Sequence, residues 1–256
     1  MFKEERVDKI LCYIDRYTQA TVDELSKEFN VSAMTIRRDL DALEKAKLVN
    51  RTHGGAMSNS IDILRIEELY EQKQEKNLDT KIRIAEKAAE LIGNDKIIFL
   101  DAGTTTYQIA LQIKRLFSTS LTIFTNDVKI ASELYDSPHQ IFIVGGRVQR
   151  ETGSVIGNLA NQFLQSLNFD ICFVGAQAIN QNLYLLTPSE EKVLIKQALL
   201  DKSPRKVLAC DQSKFNRKGL FNIIPVEEFD YVVTDYEFPA EDALRLKHGS
   251  TEIINL

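Results

Sequence analysis

Adjacent arginines at Arg37 and Arg38, with Thr35 just before them, could hold a nucleic acid. A guanidinium donates two parallel bonds to a guanine edge or a phosphate, and a threonine meets a phosphate or a thymine methyl. A second candidate is Asp101-Ala102-Gly103-Thr104-Thr105-Thr106, where a glycine lets backbone approach a ligand and three hydroxyls precede a helical pattern. Free amides at a helix start and those hydroxyls suit a phosphate or another oxyanion. The run is neither GxxxxGK[ST] nor GxGxxG, and a threonine-capped helix is its plain alternative. Other polar tips are Asn126 and Asp127, Gly145, Gly146 and Arg147, and Asp211, Ser213 and Lys214. Alone each reads as a turn or cap; converging, they would offer a cation, amides and carboxylates to a negatively charged small molecule. His53, His139 and His248 are far apart, and Cys12, Cys172 and Cys210 show no CxxC spacing, so no metal site, cofactor or disulfide framework is expected.

These residues need elements to place them. Val7, Ile10, Leu11, Ile14 and Tyr17 recur at helical spacing and predict a helix over residues 3–17. Thr21 with Glu24 reads as a capping box that opens a short helix ending near Asn30. Ser32 can cap a third helix, from about Ala33 to Ala46, whose apolar stripe is Ile36, Leu40 and Leu43. That stripe turns Ala33, Thr35, Arg37 and Arg38 outward. Lys47 to Thr52 reads as extended, and His53, Gly54 and Gly55 as a tight turn before Ala56 and Met57. The pattern is that of a winged helix-turn-helix, with a three-helix dimerisation or capping unit as the alternative.

Residues 58–76 are charged and lack a core-sized apolar face, which suggests a linker, partly helical. From Asn77 a helical stripe returns, with Asp79 or Thr80 as its expected cap. Short β-branched runs then alternate with helices, the strands falling at residues 96–100, 121–125, 140–144, 170–175, 206–210, 231–234 and 251–254. Such alternation predicts a mostly parallel sheet covered on both faces, with ligands beyond the carboxyl ends of its strands. Pro138, Pro188, Pro204, Pro225 and Pro239 are all expected in connections.

Composition narrows the function classes. With 44% hydrophobic and 27% charged residues the chain is expected to be an ordinary globular protein. Its longest apolar runs are far below the roughly 20 residues of a membrane helix, and its charged start lacks a secretory signal, so a cytoplasmic location and no membrane partner are expected. The net charge of -5 does not exclude DNA, because the first 57 residues hold ten basic and ten acidic side chains and leave that whole charge on the remainder.

The stretch from Glu5 to Met57 closely resembles the DNA-binding domain of the DeoR family of bacterial transcriptional regulators, above all in TIRRDL at residues 35–40 followed by HGGA at 53–56. By that resemblance Ser32, Thr35, Arg37 and Arg38 would meet DNA, with Arg51 and His53 on the wing. DAGTTT at 101–106, TND at 125–127, VGGRV at 144–148, VIGNLA at 155–160, FVGA at 173–176, TPSEEKVLIKQAL at 187–199 and DQSKF at 211–215 resemble the family's effector-sensing domain, whose fold is related to phosphosugar isomerases. Carried over, Asp101, Gly103, Thr104, Thr105, Thr106, Asn126, Gly145, Gly146, Glu191, Lys196 and Lys214 would line an effector pocket. The chain departs from the family at Gln177 and Ala178, where Asp-Gly is usual, and at Leu185, Leu186, Thr187 and Pro188, where Gly-Leu-Thr-Thr-Pro is usual. Either departure would bear on effector choice.

The expected architecture is α/β: a winged helix-turn-helix domain at 1–57, a linker at 58–76, and a larger doubly wound, mostly parallel-sheet sensor domain at 77–256. The expected function is repression of a sugar or polyol catabolic operon, with operator DNA and a phosphorylated sugar or polyol as partners. One small module reads few base pairs, so a homo-oligomer, dimer or tetramer, is expected. The alternative is an isomerase-like enzyme acting on a sugar phosphate, using Asp101, Asp211, Glu190 or Glu191 as acid or base.

Overall fold

A computed structural model describes residues 3–17, 19–52, 54–58 and 69–256. His53 lies outside the described residues, as do most of the expected linker and the side chain of Tyr17. The chain divides into two compact units, residues 1–66 and 67–256.

In the smaller unit, α1 (Lys3–Tyr17), α2 (Val22–Glu28) and α3 (Ala33–Lys45) follow the sequence pattern. Ile10 and Ile14 of α1, Leu25 of α2, and Ile36 and Leu40 of α3 are fully buried, each worth roughly 1.5–3 kcal/mol of apolar transfer. The capping box forms as read, with the Glu24 amide bonded to the Thr21 hydroxyl and the Thr21 amide to the Glu24 carboxylate. The wing is a three-stranded antiparallel sheet in the order β1 (Gln19–Thr21), β3 (Gly55–Ser58), β2 (Val49–Arg51). The sequence reading did not contain β1. It sets the glycine at Gly55, where an added Cβ would lie 2.0 Å from the Ala20 carbonyl oxygen.

The larger unit begins with α4 (Tyr70–Glu75), inside the segment expected to be linker. Tyr70 is buried and its amide donates to the Glu151 carbonyl at 2.9 Å, so this helix packs with the larger unit. Next comes α5 (Leu78–Glu90), capped by Asn77 in the left-handed conformation and not by Asp79 or Thr80. The seven expected strands form one parallel sheet: β4 (Ile97–Leu100), β5 (Thr122–Thr125), β6 (Gln140–Ile143), β9 (Ile171–Gly175), β12 (Arg205–Ala209), β14 (Tyr231–Thr234) and β15 (Glu252–Asn255). Their order is β15-β14-β12-β9-β4-β5-β6.

Alternation along the central strands divides the core. Ile98 and Leu100 of β4 with Ile171 and Phe173 of β9 pack on α5, α6 (Thr104–Leu116) and α7 (Val128–Leu134). Phe99, Cys172 and Val174 point the other way, toward α8 (Asn158–Gln165), α9 (Glu190–Asp201) and α10 (Ala240–His248). Both faces are thus covered, as a parallel sheet requires. Two additions were not read from sequence: the hairpin β7 (Arg147–Val148) with β8 (Val155–Ile156), and an antiparallel sheet of β10 (Ala178–Ile179), β11 (Tyr184–Thr187) and β13 (Phe221–Pro225). Pro225 therefore ends a strand, contrary to expectation. β13 is an edge strand of its sheet, where a missing N–H is tolerated.

The chain runs from β4 outward through β5 and β6, then returns to β9 on the other side of β4. The crevice at this reversal, beyond the carboxyl ends of β4 and β9, is where such sheets bind ligands. Among the described residues, no helix is long and apolar enough to cross a membrane.

Candidate functional site

Two sites emerge, one on each unit. On the smaller unit, Ser32 caps α3: its hydroxyl accepts the Thr35 amide at 3.2 Å and sits 2.9 Å from the Thr35 hydroxyl. Ser32, Arg37 and Arg38 are exposed and Thr35 is half-buried, so the first turns of α3 present the polar face read from sequence. Met34, which the sequence reading passed over, is 57% exposed on the same turn and adds an adaptable apolar contact.

Asp39 within the same motif does something else. It is buried, and its carboxylate takes the Arg6 guanidinium at 2.7 Å and 3.3 Å, tying α1 to α3. A buried carboxylate needs such a partner. Arg51 is likewise engaged within the unit: it donates to the Gly55 carbonyl at 2.6 Å and lies 3.3 Å from Asp41. The geometry makes it a brace between α3 and the wing, and less a free DNA contact than expected.

On the larger unit a partly open cleft with a cavity volume of about 90 Å³ occupies the crevice at the strand reversal. Asp101, Gly103, Thr104 and Thr105 line it after β4, and Gly175, Ala176 and Gln177 after β9. The Asp101 loop is held rigidly by the neighbouring tip. The Ala102 amide donates to the Asn126 side chain at 2.8 Å and the Gly103 amide to the Asp127 carboxylate at 3.1 Å. The first amides of α6 have no intrahelical partner, and Thr104 and Thr105, which carry two of them, line the cleft.

Asp127 also caps α7 through the Lys129 amide at 2.8 Å. Burial raises its pKa to about 6 against the opposing pull of these amide bonds. The Lys196 ammonium pairs with Asp101 and donates to the Gly175 carbonyl at 3.0 Å, bridging the two strands that flank the crevice. Burial works against the charge of Asp211, but the bonds from Ser213 and Asn77 and the nearby Lys214 outweigh it and lower its pKa.

Of the expected pocket residues, Asp101, Gly103, Thr104, Thr105, Asn126, Lys196 and Lys214 come together around the cleft. Four do not. Thr106 is fully buried with its hydroxyl on the Gly103 carbonyl at 2.8 Å, so it stiffens the loop from behind. Gly145 is exposed and outside the lining. Gly146 serves packing, since an added Cβ would meet the Ile156 carbonyl oxygen at 2.7 Å. Glu191 pairs with Arg147 at 2.6 Å on the surface. Tyr70 and Lys73 of α4, Thr152 and Ser154 before β8, and Lys192 of α9 also line the cleft and were missed. Gln177, noted as a departure, lies in the lining, whereas Ala178 is buried in β10.

The lining carries four ammonium groups, Lys73, Lys192, Lys196 and Lys214, against the single carboxylate of Asp101. Such a cleft holds an anion that also has hydroxyls for the threonines and amides. No group of three or more metal-ligating side chains occurs among the described residues.

A family model described as a DeoR-like helix-turn-helix domain matches residues 6–62, and one described as the DeoR C terminal sensor domain matches residues 76–236. The HTH-type transcriptional regulator GlpR of Haloferax volcanii is 30% identical over 255 residues, covering 100% of this chain and 98% of that protein. The lactose phosphotransferase system repressor of Lactococcus lactis is 35% identical over 236 residues, 92% of each. A solved ribose 5-phosphate isomerase from Methanocaldococcus jannaschii overlaps 55% of each chain at 16% identity, with a TM-score of 0.41.

Proposed function

Because the chain belongs to the DeoR family of transcriptional regulators and is a regulator, not an enzyme, we propose that it represses a sugar or polyol catabolic operon and leaves its operator when a phosphorylated sugar or polyol fills the cleft. The observation that carries this reading is the excess of lysine over carboxylate in the cleft lining, set beside the amide-rich start of α6. A phosphate satisfies the ammonium groups and amides, and sugar hydroxyls suit Thr104, Thr105 and Asn126. The names of relatives that repress a lactose phosphotransferase system support the sugar class.

On DNA, Arg37 and Arg38 enter the major groove from the first turns of α3, with Ser32 and Thr35 at the phosphates. Arg51 positions the wing. Two or more copies bind repeated half-sites, since one module contacts few base pairs. Release follows from linkage: an effector that prefers the DNA-incompetent conformation shifts the population by its difference in affinity.

Calorimetric titration with matched pairs of sugars and their phosphate esters tests the cleft. At least one ester is expected to bind while its unphosphorylated partner does not. Equal binding of both members, or a Lys214→Ala variant that binds the ester as well as the parent protein, would contradict the anion reading.

A further inference from the structure

Among the described residues Tyr70 is the one aromatic side chain in the cleft lining, and it comes from α4, which opens the larger unit. It is 3% exposed, and its hydroxyl, inaccessible to solvent, has no hydrogen-bond partner among the described residues. A buried hydroxyl left unbonded costs free energy, and the side chain that carries this one lines the cleft, so a small shift on ligand binding would give it a partner.

The helix that carries Tyr70 is seated firmly. Its amide bonds the Glu151 carbonyl at 2.9 Å, joining α4 to the loop whose Thr152 and Ser154 also line the cleft. The Lys129 ammonium lies 3.7 Å over the Tyr70 ring and 2.9 Å from the Glu71 carboxylate. At the other end, buried Lys81 donates to the carbonyls of Lys73 and Lys76, satisfying the end of the short helix. Burial, reinforced by the Asp127 carboxylate, raises the phenol pKa, so the group remains a neutral donor at any physiological pH.

We propose that the Tyr70 hydroxyl donates a hydrogen bond to an oxygen of the bound effector, which makes α4 a wall of the site and ties occupancy to the start of the larger domain nearest in sequence to the DNA-binding domain. This rests on the sugar-phosphate reading of the cleft. Lys73, one turn along the same helix, brings a second effector-facing group from α4. Effector binding then adds to the contacts that hold α4, with no relay through the sheet.

The test titrates the full-length protein and its Tyr70→Phe variant with ribose 5-phosphate, fructose 1-phosphate, glucose 6-phosphate and glycerol 3-phosphate by calorimetry. Hydrogen exchange at residues 69–76 of the unaltered protein is followed alongside. The proposal predicts that Tyr70→Phe weakens the best of these esters by about tenfold, with the thermal midpoint of the unliganded protein unchanged or raised. It also predicts that the α4 amides gain protection when that ester binds. Equal affinity in the variant overturns the proposal and leaves the sugar-phosphate reading standing. Protection gained at the start of α6 but not in α4 overturns it too, and this outcome is read even if the variant folds poorly. Failure of every ester to bind the unaltered protein overturns both readings together.

Discussion

At the residue scale, neighbouring side chains of one motif divide the labour. Arg37 and Arg38 face solvent while Asp39 and Leu40 are buried, so a single turn of α3 both reads outward and anchors inward. Replacing Arg38 by alanine is expected to weaken operator binding by on the order of 1–3 kcal/mol and to leave effector affinity unchanged, as measured by fluorescence anisotropy and calorimetry. Asp127 gives a second residue-level expectation. Its folded pKa of about 6 lies above the ordinary 3.8, so the folded protein holds this proton more tightly than the unfolded chain does. Stability from this group is therefore present at acid pH and declines as pH rises from about 4 to about 6, by about 3 kcal/mol in all. Denaturant unfolding of Asp127→Asn should show a gain relative to the parent protein between pH 4 and pH 7; parallel pH profiles would contradict the assignment.

At the scale of elements, the wing and recognition helix are held by contacts that sequence periodicity does not display. Nothing in the periodicity of α3 marks a partner for Asp39, and the three-dimensional meeting with Arg6, 33 positions away, explains its burial. Gly55 was legible as a turn residue, but its close approach to Ala20 depends on β1, a strand too short to carry a pattern. A methyl group there should cost about 1–3 kcal/mol, seen as a lower thermal midpoint for Gly55→Ala, while Gly54→Ala, with nothing within 4 Å, should shift it far less. The seven sheet strands were legible because each is a β-branched run framed by turn residues. The two-residue strands β7, β8 and β10 were not, since a period cannot show in so short a run. The polar helix α4 was read as linker because Tyr70 alone carries its buried face. Several residues that follow strand ends, such as Asp101, Thr104, Thr105 and Asn126, line the cleft, whereas Lys73, Thr152 and Lys192 arrive from other elements and needed the fold to reveal them. Gly146 of the VGGRV run was read as a ligand group because motif resemblance cannot separate a glycine that admits a ligand from one that admits a neighbouring backbone.

At the scale of the whole molecule, two cationic sites share one chain: arginines exposed on α3, and a lysine-rich cleft at the strand reversal. Linkage between them predicts variants that lose one function and keep the other. Thr105→Val, which removes a cleft hydroxyl, should still bind operator but resist release by sugar phosphate, raising the concentration needed by about tenfold; a promoter-release titration checks it. The central claim is that the exposed face of α3 grips DNA and that an anion in the cleft loosens the grip. It is tested most directly by titrating the purified protein onto DNA from its own promoter, at several salt concentrations, with and without the sugar phosphate that binds best. The account predicts sequence-preferring binding that falls steeply as salt rises and is reversed by the ester. Binding that ignores sequence, or that persists unchanged when the cleft is saturated, would contradict it.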